Sequence, residues 1–310
     1  LDFNIIIFIN IFSMKANTLF SYSIIGIILM IAGQLCFAIN DTIVKFEVKN
    51  IDNNYAIFNI IFIRGLFTTF FIILYLTLFE KKNILTIIKN RKYNLRGVYE
   101  VITALFFFTG LVLMPVSLVY TLLMTNPFFV TIFAYLFLKE KVGIRRWTAV
   151  IIGFIGVIII IRPQGIDFNY LFILPILAAI FLTIRDILTK NIVTKKNSFE
   201  IILVTSILMS FFSGISSIYF GFNIKLDQFM NILFSSIFLT FAYLFSVMTI
   251  FYAPLSLTAT ARYSVIIFGM IFGYIILKEI PTLNMIIGAI IITLSGMFVI
   301  KRQKDLGKIE

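Results

Sequence analysis

Apolar runs of about twenty residues recur along almost the whole chain, from Ser21 to Ile300, and are broken only by short polar clusters. At about 1.5 Å per residue, each run is long enough as a helix to cross a hydrocarbon core of about 30 Å. Lipid offers the backbone no hydrogen bonds, so such spans must satisfy their own amide groups as helices. With 61% of 310 residues apolar and 13% charged, the chain has too little polar surface for a soluble globule. It reads as an all-α polytopic, multi-pass membrane protein.

Ten spans are expected, near residues 20–40, 55–79, 97–115, 117–138, 146–162, 170–190, 199–220, 230–252, 255–277 and 282–300. The breaks fall at polar or turn clusters such as Lys89 to Arg96, Arg162-Pro163-Gln164-Gly165, Lys195-Lys196-Asn197 and Pro254. Residues 1–19 form an N-terminal segment. Leu1–Ser13 is apolar but short, no small-residue cleavage site follows, and Met14 is an alternative start. With the N-terminus inside, most of the 26 basic residues fall on the cytoplasmic side, while Lys45, Lys49, Arg162, Lys225 and Lys278 fall outside. Both termini, including the tail 302–310, are then cytoplasmic. The net charge of +12 is accounted for by orientation in the bilayer, and no nucleic-acid partner is expected.

The residue inventory excludes several chemistries. There is no histidine and one cysteine, Cys36, so imidazole bases, Cys/His metal sites and intrachain disulfides are out. No GxxxxGK[ST] stretch occurs, which argues against an ATP-driven pump on this chain. No metal or cofactor is expected.

Two halves are visible. Pro115-Val116-Ser117 opens a span that closes in Leu138-Lys139-Glu140. Pro254-Leu255-Ser256 opens another, 139 positions later, that closes in Leu277-Lys278-Glu279. Asn40-Asp41-Thr42-Ile43-Val44-Lys45 likewise lines up with Arg185-Asp186-Ile187-Leu188-Thr189-Lys190, both reading Asp-x-x-x-Lys. The halves are 20–163 and 168–301, each with five spans. An odd number turns the second half upside down in the membrane, an inverted repeat that gives two related conformations around one central site.

Phe37 to Lys45 closing the first span, Phe62-Ile63-Arg64 in the second, Pro115 to Glu140 covering the fourth, and Gly153-x-x-Gly156 running into Ile161-Arg162-Pro163 carry a family likeness. The chain resembles the drug/metabolite transporter superfamily, EamA type, over about Ser21 to Arg302. The resemblance implies two five-helix EamA repeats in a bacterial inner (plasma) membrane. Asn40-Asp41-x-x-x-Lys45 and Asp186-x-x-x-Lys190 are similar to a branch that includes S-adenosylmethionine uptake carriers. The four-span multidrug members use a membrane-embedded Glu in their first span, and this sequence has none there.

Arg64 lies nine residues into its span, about 14 Å deep, and Arg262 about 10 Å deep in the ninth. A charge at such depth costs at least ~2.5 kcal/mol and calls for a cavity or a partner. A guanidinium there can grip a carboxylate or phosphate, so both are substrate-binding candidates, the alternative being helix-to-helix glue. No acidic residue is expected equally deep, which makes the cavity locally positive. Asn126, before Pro127, can free a carbonyl at mid-membrane, and Tyr120 and Tyr263 can stack on a planar substrate. Asn40, Asp41 and Lys45, with Arg185, Asp186 and Lys190, are gating candidates near opposite faces. Each Asp can pair with the Lys one turn on, either as a gate or as a helix-end fastener. Glu100 is a candidate for ion coupling if buried, or else a solvated or Arg-paired residue.

The leading functional expectation is a secondary transporter that moves a small polar metabolite bearing a carboxylate or phosphate by alternating access. Its partners would be that substrate, membrane lipid, and a coupling proton or counter-substrate. The alternatives are a lipid or lipid-precursor flippase and an intramembrane enzyme. The enzyme reading would need converging acid/base groups.

Overall fold

The computed structural model describes residues 18–51, 56–137, 139, 143–161, 170–222, 224, 226–284, 286–288, 290, 291 and 294. Among them the chain is helical, and no strand occurs. The helices are α1 (Thr18–Lys49), α2 (Ala56–Leu78), α3 (Ile84–Ile88), α4 (Arg91–Leu113), α5 (Val116–Leu123), α6 (Asn126–Phe137) and α7 (Ile144–Ile161). They continue with α8 (Ile173–Ile192), entered by a 3-10 turn Tyr170–Phe172, then α9 (Ser198–Phe220), α10 (Leu226–Tyr252), α11 (Leu255–Ala261) and α12 (Ser264–Leu277). Among the described residues, seven segments are long and apolar enough to span a membrane, and α12 is a shorter apolar helix.

Two boundaries differ from the sequence reading. α1 runs through Lys49 instead of stopping near residue 40, and α4 begins at Arg91 instead of 97. In both cases charged residues continue the helix, and Asp41, Lys45 and Arg96 among them are buried. The N-terminal residues before Thr18, the segment 162–169, the tail 302–310 and most of the tenth expected span lie outside the described residues.

Polarity runs inside out. Large apolar side chains such as Leu78, Ile218 and Leu226 sit on the perimeter, while Arg64, Arg96, Asn126 and Asp186 are almost wholly enclosed. This is the distribution that lipid selects, since ionic groups within the hydrocarbon must face the interior of the bundle.

The halves interlock. α1 packs along α10 and, at the equivalent place in the other half, α8 packs along α4; α2 lies on α9, its own counterpart. At the crossing of α2 and α9, a Cβ on Gly65 would collide with the Ser210 side chain. Gly65 and Ser210 occupy equivalent positions, 145 residues apart, so the helices approach most closely where the two repeats meet.

The fourth span is broken into α5 and α6 at Met124–Thr125, and the ninth into α11 and α12 at Arg262–Tyr263. Pro127 cannot donate to the carbonyl one turn back, and Met124 N–H bonds both Tyr120 and Thr121 carbonyls. The ninth span has no proline at its break, but three-residue bonds from Val265 N to Arg262 O and from Ile266 N to Tyr263 O tighten the turn. Both spans end on a lysine in left-handed backbone, Lys139 (φ 52°) and Lys278 (φ 58°). Below α2, Lys82 Nζ ties the loop down with Glu80 (2.5 Å) and Glu200 (2.7 Å).

Candidate functional site

A cavity of about 90 Å³ lies where the repeats meet, lined from α1 by Phe37 and Asp41, from α2 by Arg64 and from α4 by Glu100, Phe107 and Phe108. Tyr120 of α5, Arg185 of α8, Tyr243 of α10 and Arg262 at the α11–α12 break complete it. Apolar and aromatic side chains form most of the wall, with a few charged groups set into it.

Those charges fall into two groups. The first is a ladder of alternating sign. Arg96 Nη2 contacts Glu100 Oε2 at 3.0 Å, and Arg185 Nη1 contacts the same oxygen at 2.7 Å. Arg185 Nη2 lies 2.6 Å from Asp186 Oδ1, and Arg262 Nη2 lies 2.7 Å from Asp186 Oδ2. Arg96 also donates to the hydroxyls of Thr189 (3.2 Å) and Thr205 (2.5 Å). Each acid thus has two arginines in contact, the condition under which buried charges are tolerated.

The second group surrounds Asp41. Asn40 Nδ2 donates to Asp41 Oδ1 at 2.7 Å and the Tyr120 hydroxyl to Oδ2 at 2.8 Å. Arg64 Nη1 donates to Asn40 Oδ1 at 3.1 Å and stands 3.9 Å from Asp41. The Ser235 hydroxyl donates to Asn40 Oδ1 from the other repeat at 2.7 Å. Arg64 also lies over the Phe108 ring, 4.9 Å from its centroid. The Nε–H groups of Arg64 and Arg262 have no hydrogen-bond partner among the described residues.

Several expectations are corrected by this geometry. The Asp-x-x-x-Lys pairs are not made along their helices. Lys45 reaches Glu279 at 2.9 Å and donates to the Met114 carbonyl at 2.8 Å. Lys190 donates to the carbonyls of Ile250 (2.8 Å) and Ala253 (3.3 Å). Lysine's long stem carries its charge toward the helix end, while the shorter aspartate turns into the cavity. Met114 and Ala253 each precede a repeat proline, so the two lysines make equivalent contacts in the two halves. Asp41 and Asp186 do not sit at opposite faces, because both join the central cluster. The cavity therefore carries acids at the depth of its arginines and is mixed in charge. Glu100 is the arginine-paired residue of the alternatives given for it, buried and held by Arg96 and Arg185.

Asn126 and Tyr263 do not line the cavity. Asn126 Nδ2 donates to the Ala179 carbonyl (3.2 Å) and the Thr183 hydroxyl (2.9 Å), fastening the break to α8. Tyr263 packs against Gly153, whose missing side chain leaves room for the phenol. Arg96, Ser235 and Glu279 were not singled out from the sequence. The i, i+4 spacing of Arg96 and Glu100 was a signal for the first. The Leu-Lys-Glu repeat endings were one for Glu279. Ser235 gave none.

At Met114–Val116, Glu279 closes one end of the bundle. Its Oε1 holds Lys45 and its Oε2 accepts from Val116 N at 3.2 Å. Lys49 approaches at 3.8 Å but is half exposed.

The profile of the EamA-like transporter family matches residues 24–162 and 169–301. The chain is 28% identical over 254 residues to an S-adenosylmethionine uptake transporter of Rickettsia felis, covering 80% of this chain and 84% of the relative. A Rickettsia conorii protein of the same name is 27% identical over 272 residues, 86% and 88% of the two chains. A riboflavin transporter of Vibrio cholerae is 46% identical over 71 residues, 23% of this chain and 24% of that one. A solved crystal structure superposes with a TM-score of 0.65 at 11% identity, covering 92% of this chain and 98% of the other.

Proposed function

From the premise that this chain belongs to the EamA-like transporter family of small-metabolite carriers, we propose that it takes up a zwitterionic, ring-bearing metabolite of the S-adenosylmethionine type. The observation that carries this reading is the mixed charge of the cavity. The unspent Nε–H donors of Arg64 and Arg262 suit a carboxylate, and Asp41 beside them suits a positive group. The rings of Phe37 and Tyr243, an edge-to-face pair 5.8 Å apart in the cavity wall, offer a face to a heterocycle. A neutral flavin would leave these charges unanswered, and the riboflavin relatives align over a quarter of the chain. The groove between α2 and α9 is lined by residues such as Phe62, Leu66 and Phe222 with no charged side chain, so it offers nothing to a lipid head group.

Transport proceeds by alternating access, with the inverted halves exchanging roles. In this state the Lys45–Glu279 pair latches the end that the positive-inside pattern assigns to the exterior. Lys190 stands at the equivalent place on the cytoplasmic end. Glu100, gripped by two arginines, fixes Arg96 and Arg185 and has no part in ion coupling. Arg185 and Asp186 brace Arg262, and Asn40 sets the angle of Arg64.

A thermal-shift screen of the purified full-length protein against S-adenosylmethionine, amino acids, nucleosides and riboflavin tests the reading. At about 100 times its Kd, a ligand stabilises the protein by about 2.7 kcal/mol. S-adenosylmethionine is expected to raise the Tm. A rise with riboflavin alone would overturn the proposal.

A further inference from the structure

Three carboxylates are buried in the cluster, and they are not equivalent. Glu100 and Asp186 each have two arginine nitrogens between 2.6 and 3.0 Å. Asp41, whose side chain is only 6% exposed, has its one arginine at 3.9 Å. Its short contacts, from the Asn40 amide and the Tyr120 hydroxyl, come from neutral donors. These satisfy lone pairs without cancelling the charge, and a distant ion pair in a mixed environment cancels it only in part. Asp41 faces the cavity, whereas Asp186 is closed off behind its arginines.

A primary ammonium is poorly matched to this site. It brings three N–H donors that each seek an acceptor, and Asp41, with each oxygen already accepting one hydrogen bond, has about two acceptor sites left for them. A sulfonium or quaternary ammonium carries charge but no N–H, so it asks only for a nearby negative charge and polarisable faces. The phenol of Tyr120 is joined to Asp41 and stacks on Phe107 with ring planes 27° apart, which supplies such faces. Phe108 is already covered by Arg64.

We propose that Asp41, together with the Tyr120 and Phe107 rings, is an onium subsite that selects substrates carrying a sulfonium centre. The claim rests on the S-adenosylmethionine-type reading above and sharpens it. Arg64 is the resident counter-ion of Asp41. On binding, the substrate cation takes its place near Asp41 and frees the guanidinium for the substrate carboxylate. The loose Asp41–Arg64 pair opens, and the tight Asp186 contacts stay.

The test compares S-adenosylmethionine with S-adenosylhomocysteine, which keeps the carboxylate, ammonium and adenine but has a neutral thioether. Equilibrium binding to the purified full-length protein is expected to favour the sulfonium by about 30-fold. In Asp41→Asn the preference should fall to about 3-fold or less, with the loss on the sulfonium ligand. Asp41→Glu keeps the charge and should keep most of the preference. An unaltered ratio in Asp41→Asn, or equal loss of both ligands in a monodisperse variant, overturns the subsite while leaving the substrate class intact. Should Asp41→Asn fail to fold, a monodisperse Asp41→Glu that binds both ligands without preference overturns it equally. Wild-type protein that binds neither compound overturns the substrate reading and the subsite with it.

Discussion

Replacing Glu279 by Gln removes the charge that closes the bundle at Pro115. The Lys45–Glu279 contact is 2.9 Å, with side chains 7% and 19% exposed. An exposed pair contributes about 0–1 kcal/mol, and breaking a fully buried one costs about 3–5 kcal/mol. With Glu279 one-fifth exposed and Lys45 keeping its bond to the Met114 carbonyl, about 2 kcal/mol is a reasonable middle value. If the latch exists only in the closed state, that shifts the opening equilibrium by about 30-fold. Ser246 lines the cavity and is buried. In a Cys36→Ser background, Ser246→Cys should react with an impermeant maleimide about 30-fold faster when Glu279→Gln is added. Lys45→Met in the same chain should bring the rate back toward the parent, because no buried charge is then left unpaired. Labelling within about twofold of the parent in Glu279→Gln would refute the latch.

Arg64→Lys keeps a charge but loses the planar fork, and is expected to weaken S-adenosylmethionine binding by about tenfold, while Arg64→Leu should abolish it; titration calorimetry reads both. Gly269→Ala should also weaken binding, because its Cβ would press on the Tyr120 ring and displace the hydroxyl from Asp41; Tyr120→Phe should reproduce only part of that loss in the same assay. Lys82 is held charged above the ordinary lysine range, since Glu200 and Glu80 outweigh its partial burial. Its contribution to stability is therefore full below the unfolded lysine pKa of about 10.4 and is lost as pH rises through the higher folded value. For so exposed a group it is small, about 1 kcal/mol at most. Melting curves across that range should show an alkaline loss in the wild type that is diminished in Lys82→Met.

The helical architecture and the two halves were legible because length and hydropathy are properties of the chain alone. The break at Pro127 was legible for the same reason, proline being unable to donate. The matching break at Arg262–Tyr263 was not, because no residue there forbids a helix. Arg64 and Arg262 stood out as charges in apolar runs, yet their partners did not. Asp41 and Lys45 share a helix face, and local spacing suggests that they pair. Their actual partners, Tyr120 and Glu279, lie 79 and 234 positions away, and only the packing of α12 against both α1 and α5 brings them in. The expectation of a positive cavity failed for the same reason: reckoned from span boundaries, Asp41 lay at a helix end, whereas α1 continues through Lys49 and carries it inside.

The central claim is that the cavity between the repeats carries an S-adenosylmethionine-type zwitterion across the membrane. Counterflow tests it most directly: liposomes holding the purified protein are preloaded with unlabelled S-adenosylmethionine and given a trace of labelled compound outside. A transient accumulation of label above equilibrium is expected in the wild type and none in Arg64→Leu reconstituted to the same density. Accumulation of equal size in Arg64→Leu, or none in a monodisperse wild type that exchanges riboflavin instead, would contradict it.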